Sequence, residues 1–264
     1  MNDKPPDTHT PDNAASWAKP VDTLTVGDTP AEAINLNVQG KRVSGPLQGF
    51  GQLWQKTYRF RLRGVQTTPA ELVRLWKEKL PELMPPNSRF YPSITGVKPG
   101  EVIIINATMP GVPGAISTGV MILYADDEAF TVMTPEGHPE SGFNTFSVYE
   151  ADGVLVAQIQ SLARANDPIY EFGFRFMGGS KEQEKIWHHV LAQLGAQLGV
   201  SGAVEMEKVC VDPRLQWSRA KNVWHNALIR STLHLPVRLA RQVGKGKTGS
   251  SGTQGVDSPL MRDT

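Results

Sequence analysis

Residues 115–163 read AISTGVMILYADDEAFTVMTPEGHPESGFNTFSVYEADGVLVAQIQSLA. Four strand-like runs lie in this stretch: Ala115–Tyr124, Glu128–Thr134, Phe143–Glu150 and Val154–Ala163. The links between them are short and rich in turn formers: ADDE, PEGHPESG and ADG. Parallel neighbours need a crossover of about a dozen residues, so links this short predict an antiparallel meander. A further run, Glu101–Ala107, joins through PGVPG.

The segment after the meander is helical by its periodicity. Ile186, Trp187, Val190, Leu191, Leu194 and Leu198 form one apolar stripe, behind an S-x-x-Q capping pair at Ser180 and Gln183. Upstream, Thr68, Pro69 and Glu71 make a T-x-x-E helix start, and Leu72, Leu75, Trp76 and Leu80 recur at helical spacing before Pro81 and Pro85-Pro86. Before that helix, KTYRFRLR (residues 56–63) sets Tyr58, Phe60 and Leu62 against basic residues, as in a half-buried strand.

The order strand, helix, meander, long helix predicts an α+β helix-grip fold. A curved antiparallel sheet wraps the long C-terminal helix, because that helix must bury its stripe on one sheet face. A cavity is expected between the helix, residues 180–199, and the concave face. Its expected lining is Phe60, Tyr124, Phe130, Phe146, Arg164, Trp187 and Leu191.

This layout resembles the START-like superfamily, which includes lipid-transfer, polyketide-cyclase-like and birch-pollen-allergen-like proteins. Within it, Thr134–Phe146 (TPEGHPESGFNTF) resembles the G-H-P-E-x-G turn of an uncharacterised bacterial and plant family, and Ser161–Pro168 (SLARANDP) is loosely similar to that family's next segment. Phe143-Asn144 departs from the acidic pair more usual there. The resemblance implies a hydrophobic ligand cavity, sometimes with catalysis. It covers residues 56–200.

Outside the body, residues 1–48 are rich in Pro, Asp, Thr and Asn and are expected to be largely disordered. The expected divisions are a ligand-binding domain over 49–200, a basic amphipathic helical extension over 201–243 and a flexible tail over 244–264. The 264-residue chain has net charge +1, unevenly spread. Residues 213–264 hold nine of the 27 Lys/Arg and two of the 26 Asp/Glu, net +7, which leaves the rest at −6. Nucleic acid is therefore the weaker reading for a partner. In the extension, Trp217, Trp224 and Leu228 share an apolar stripe with Arg219, Lys221, Arg230 and Arg238 around it. Two readings stay open: docking on an anionic membrane surface or a partner through 213–243, or packing on the body.

No apolar run is long enough to span a bilayer and no apolar leader opens the chain, so a cytoplasmic or peripheral-membrane location is expected. The single cysteine, Cys210, excludes an internal disulfide and a cysteine-rich zinc site.

Glu136, His138 and Glu140 lie close together on the turn, where a carboxylate-held imidazole would serve as a general base; the competing reading is a shaped turn with polar decoration. Arg164 is either an anion receptor at the cavity mouth or the partner of Asp167 or Glu171. His188-His189 point about 100° apart on a helix and do not share a metal. Ser117 lacks a nucleophile elbow, and Gly178, Gly179 and Gly195 form no dinucleotide fingerprint. No metal or cofactor is expected. The leading expectation is non-enzymatic binding of a hydrophobic small molecule or lipid. The alternatives are a cyclase- or dehydratase-like enzyme using His138 or Arg164, and an interaction scaffold without ligand.

Overall fold

The computed structural model describes residues 13–108 and 114–236. Eight antiparallel strands form one sheet in the order β2-β3-β4-β5-β6-β7-β1-β8. They are β1 (Leu53–Leu62), β2 (Ser88–Tyr91), β3 (Val102–Ala107), β4 (Ile116–Ala125), β5 (Ala129–Met133), β6 (Glu140–Ala151), β7 (Val154–Ala165) and β8 (Glu205–Asp212). Three helices join them: α1 (Pro69–Leu83), α2 (Pro168–Phe176) and α3 (Gly179–Gln197). The fold is α+β helix-grip, with α3 held on the concave face.

Local chemistry sets the helix ends. Thr68 and Glu71 form the expected reciprocal capping box on α1, and the helix continues through Pro81 to Leu83. Asp167 caps α2 by accepting from the N–H groups of Ile169 and Tyr170, with Pro168 at the first helical position. The pair expected to cap α3 does not do so. Gly178, in the left-handed region, precedes Gly179, and no side chain caps the helix. Ser180 and Gln183 point elsewhere.

The concave face is not gripped around α3 alone, because α1 shares it. Trp76 of α1 meets Phe130 and Phe146 in T-shaped contacts, at ring separations of 6.1 and 5.5 Å. Phe130 and Phe146 stack at 4.5 Å, and Trp187 of α3 meets Phe146 edge-on at 5.6 Å. Phe60, Leu191 and Leu194 close the same core. The expected cavity-lining residues Phe60, Phe130, Phe146, Trp187 and Leu191 are thus core residues packed on one another. Helix α1 adds Leu72, Trp76 and Leu80 to the same cluster.

The other face of the sheet is covered too. Leu24 and Val38 pack on Val102, Ile104 and Met121, and Asn37 donates to Ser117 O (2.9 Å) and Ser231 Oγ (3.1 Å). Residues 13–48, expected to be largely disordered, instead lie on the sheet. Few apolar side chains suffice because β3 presents an uninterrupted apolar run, Val102–Ile105, to both faces. The extension also differs from a continuous amphipathic helix. It opens with edge strand β8, continues as a 3-10 helix over Trp217–His225, and is helical at residues 227–236. Asn226 donates to Asp167 Oδ2 (2.9 Å), which ties this segment to the cap of α2. Arg238 and the tail over 244–264 lie outside the described residues.

Candidate functional site

Strand register builds the site. Directly opposed residues on antiparallel strands point to the same face. One concave-face row runs Phe130, Phe146, Ile159, Tyr58 and Met206 across β5, β6, β7, β1 and β8. The next row runs Val132, Asn144, Ser161, Lys56 and Lys208. Within one residue pair along each strand the interior changes from aromatic to polar. Beyond it lie Gly142, Ala163 and Trp54, and then Glu140 opposite Ala165. The small side chains of Ser161, Ala163 and Ala165 leave a cleft of about 520 Å³ between the sheet and the α2–α3 junction.

Its polar wall is a connected network. Lys56 is buried, and its Nζ donates to Gln183 Oε1 (2.7 Å) and Ser180 Oγ (3.3 Å) and lies 3.3 Å from Glu184 Oε1. Lys208 Nζ donates to the same Glu184 oxygen (3.1 Å) and sits 4.7 Å over the Trp54 ring. Gln183 Nε2 donates to Glu140 Oε2. The two carboxyls are tuned apart. Burial pushes Glu140 up, against the opposing charge of Lys56 and the bond from Gln183. Burial also acts on Glu184, but the bond from Lys208 and the charge of Lys56 hold it below its ordinary value. The apolar wall is Trp54, Phe174 and Phe176, with Phe172, Phe176 and Met177 exposed on α2 and just after it. Deeper on the concave side, Tyr58 Oη, Asn144 Oδ1 and Trp187 Nε1 are buried without a hydrogen-bond partner among the described residues.

Arg164 lines this cleft but is already held. Its Nη1 donates to Gly51 O (3.1 Å) and its Nη2 to Asp212 Oδ2 (3.2 Å). Its ion partner is therefore Asp212 of β8, not Asp167 or Glu171. The turn triplet is split. Glu136 pairs with Arg42. The N–H of Glu140 donates to His138 Nδ1 (3.0 Å), and burial pushes that imidazole down to about 4. Glu140 opens β6 and faces the cleft, and among the described residues no carboxylate holds the imidazole. Gly137, at φ 87°, packs on the His225 carbonyl too closely to admit a Cβ. Tyr124 lies apart from the cleft, donating to Asp126 Oδ2 beneath Trp17 (ring separation 4.7 Å).

The extension is both packed and exposed. Ala227 and Ser231 are buried, and Arg230 turns inward to donate to Asn37 Oδ1 (2.8 Å). Trp217 touches Phe50 yet is 72% exposed, and Trp224 is 80% exposed. Arg219, Lys221 and Trp224 line a second groove. No helix among the described residues is long and apolar enough to cross a membrane.

Sequence reasoning missed Lys56, Ser180, Gln183, Glu184 and Lys208 as a group. The signal was present as parity: Lys56 shares the face of Tyr58, Phe60 and Leu62, and Gln183 and Ser180 lie four and seven residues before Trp187 on its stripe.

No family model and no curated protein matches the chain. Among solved structures it is similar to Protein Ms6760 from Mycobacterium smegmatis, at 14% identity over 66% of this chain and 98% of that one, TM-score 0.39. It is similar to Ara h 8.0201 at 14% identity over 55% and 99%, TM-score 0.38. The di-domain ARO/CYC StfQ from the steffimycin biosynthetic pathway matches at 13% identity over 56% of this chain and 50% of that one, TM-score 0.41.

Proposed function

We propose that this chain binds a small amphipathic molecule, without catalysis, in the cleft between the sheet and the α2–α3 junction. The apolar part of the ligand rests on Trp54, Phe174 and Phe176, and its polar group meets Lys56, Gln183 and Glu140. The observation that carries the reading is the polar row Asn144–Ser161–Lys56, set next to an aromatic row on one concave face. Burying such groups costs free energy that a packed apolar interior avoids. Within this row Asn144 Oδ1 is buried without a hydrogen-bond partner among the described residues, a cost that a bound donor would relieve.

A second reading is favoured by one observation. Lys56 stands near a Glu140 carboxyl that burial holds toward its protonated form, which is an acid–base arrangement. This replaces His138 and Arg164 as the residues of a cyclase- or dehydratase-like reading. Under it, Glu140→Gln abolishes turnover and spares binding.

The test is titration with 1-anilinonaphthalene-8-sulfonate, whose ring system and anionic head match the two walls. Saturable binding near one site per chain is expected, weakened at least tenfold by Ala163→Phe, which fills the cleft floor. Equal binding by a folded Ala163→Phe variant would place the probe elsewhere and reject the reading.

A further inference from the structure

A second groove, of about 720 Å³, lies between residues 42–48, the turn around Gly137 and the Trp217–His225 helix. Its chemistry differs from that of the cleft. Arg42, Arg219, Lys221 and His225 line it, with Glu136 as the one carboxylate in the lining. Lys41 stands behind it, its Nζ 3.3 Å from His225 Nδ1, and Arg230 lies nearby on Asn37. Burial first, and then the charge of Arg230, pushes the Lys41 ammonium down, as expected where positive charges crowd.

Glu136 is already committed. Arg42 Nε donates to its Oε1 (3.0 Å), and Nη2 approaches the same oxygen. Arg219 and Lys221 have no carboxylate at ion-pair distance among the described residues. Among the described residues two cations on one groove thus face no carboxylate, while residues 1–212 carry a net charge of −6. A phosphate carries about −1.5 to −2 charges near neutral pH with three acceptor oxygens, which matches that surplus. The groove is wider than a phosphate alone needs. Trp224, 80% exposed at its side, offers an indole face to whatever the phosphate carries.

We propose that this groove is a phosphate-binding site, taking a phosphate-bearing ligand whose apolar portion lies against Trp224. The shared chemistry is the phosphate; a soluble metabolite and a lipid headgroup are its two sources. The site is separate from the cleft and does not rest on the reading given for it.

The experiment titrates the full chain with inorganic phosphate and AMP by calorimetry. In parallel, co-sedimentation uses vesicles of phosphatidylcholine with 30% phosphatidic acid, against pure phosphatidylcholine. At least one phosphate probe is expected to bind, and more weakly as salt rises. Arg219→Gln/Lys221→Gln should weaken that binding at least tenfold, while Ala163→Phe leaves it unchanged. Lys221 is exposed and Arg219 half-buried, and neither side chain makes a hydrogen bond among the described residues, so the double variant should keep its melting temperature. Binding of AMP or phosphate assigns a soluble source; binding only to acidic vesicles assigns a lipid headgroup. Absence of binding by all phosphate probes overturns the proposal. So does wild-type affinity in the double variant.

Discussion

His138 illustrates how position decides the chemistry of a side chain. Its Nδ1 is occupied by the Glu140 backbone, and burial lowers its pKa from 6.5 to about 4. The unfolded chain therefore takes up a proton that the folded chain refuses. The stability linked to this residue is complete above pH 6.5 and is lost as pH falls through the folded value near 4. His138→Asn keeps an acceptor at the Nδ1 position and cannot titrate. Urea unfolding at pH 7 and pH 4 should show the variant losing about 1–3 kcal/mol less than the parent over that interval. Glu140 has the opposite sign. Its raised pKa means that ionisation opposes folding, so acidification through that value relieves a cost. Both residues were visible in the sequence as a triplet with Glu136. What was not visible is that β6 begins at Glu140, which turns that carboxyl inward and separates it from the imidazole.

The elements most legible in the sequence were those with a long period and a chemical stop. The meander and the stripe of α3 appear where the spacing puts them. Leu191 and Leu194 are fully buried, so Leu191→Ala should cost about 2–5 kcal/mol in chemical denaturation, and a loss below about 0.5 kcal/mol would contradict the packing of α3. The missed elements have physical reasons. Strand β2 is four residues long and too short for a period. Strand β8, EMEKVCVD, is an edge strand whose charged outer residues pair with Arg59 and Arg61, which masks its alternation. Helix α2 did carry a start signal, Asp167-Pro168, but the competing reading of Asp167 as an ion partner for Arg164 obscured it. The candidate site was legible only as parity. Extending the even-numbered face of β1 back to Lys56, and the stripe of α3 back to Gln183, brings a lysine and an amide into the interior.

At the scale of the whole molecule, one sheet carries cover on both faces. Residues from 13–48 pack on the convex side, and α1 and α3 pack on the concave side. A cleft opens at the α2–α3 end of the sheet, where the small side chains of Ser161, Ala163 and Ala165 keep the floor low. The extension anchors through Asn226, Ala227 and Ser231 while its tryptophans stay exposed. The central claim is that the cleft at the α2–α3 junction holds a small amphipathic molecule. Native mass spectrometry of the intact protein, purified without denaturation alongside its Ala163→Phe variant, tests this most directly. The account predicts a non-covalent adduct of small-molecule mass on the parent chain that is absent from the folded variant. The same adduct on both proteins, or none on the parent, would contradict it.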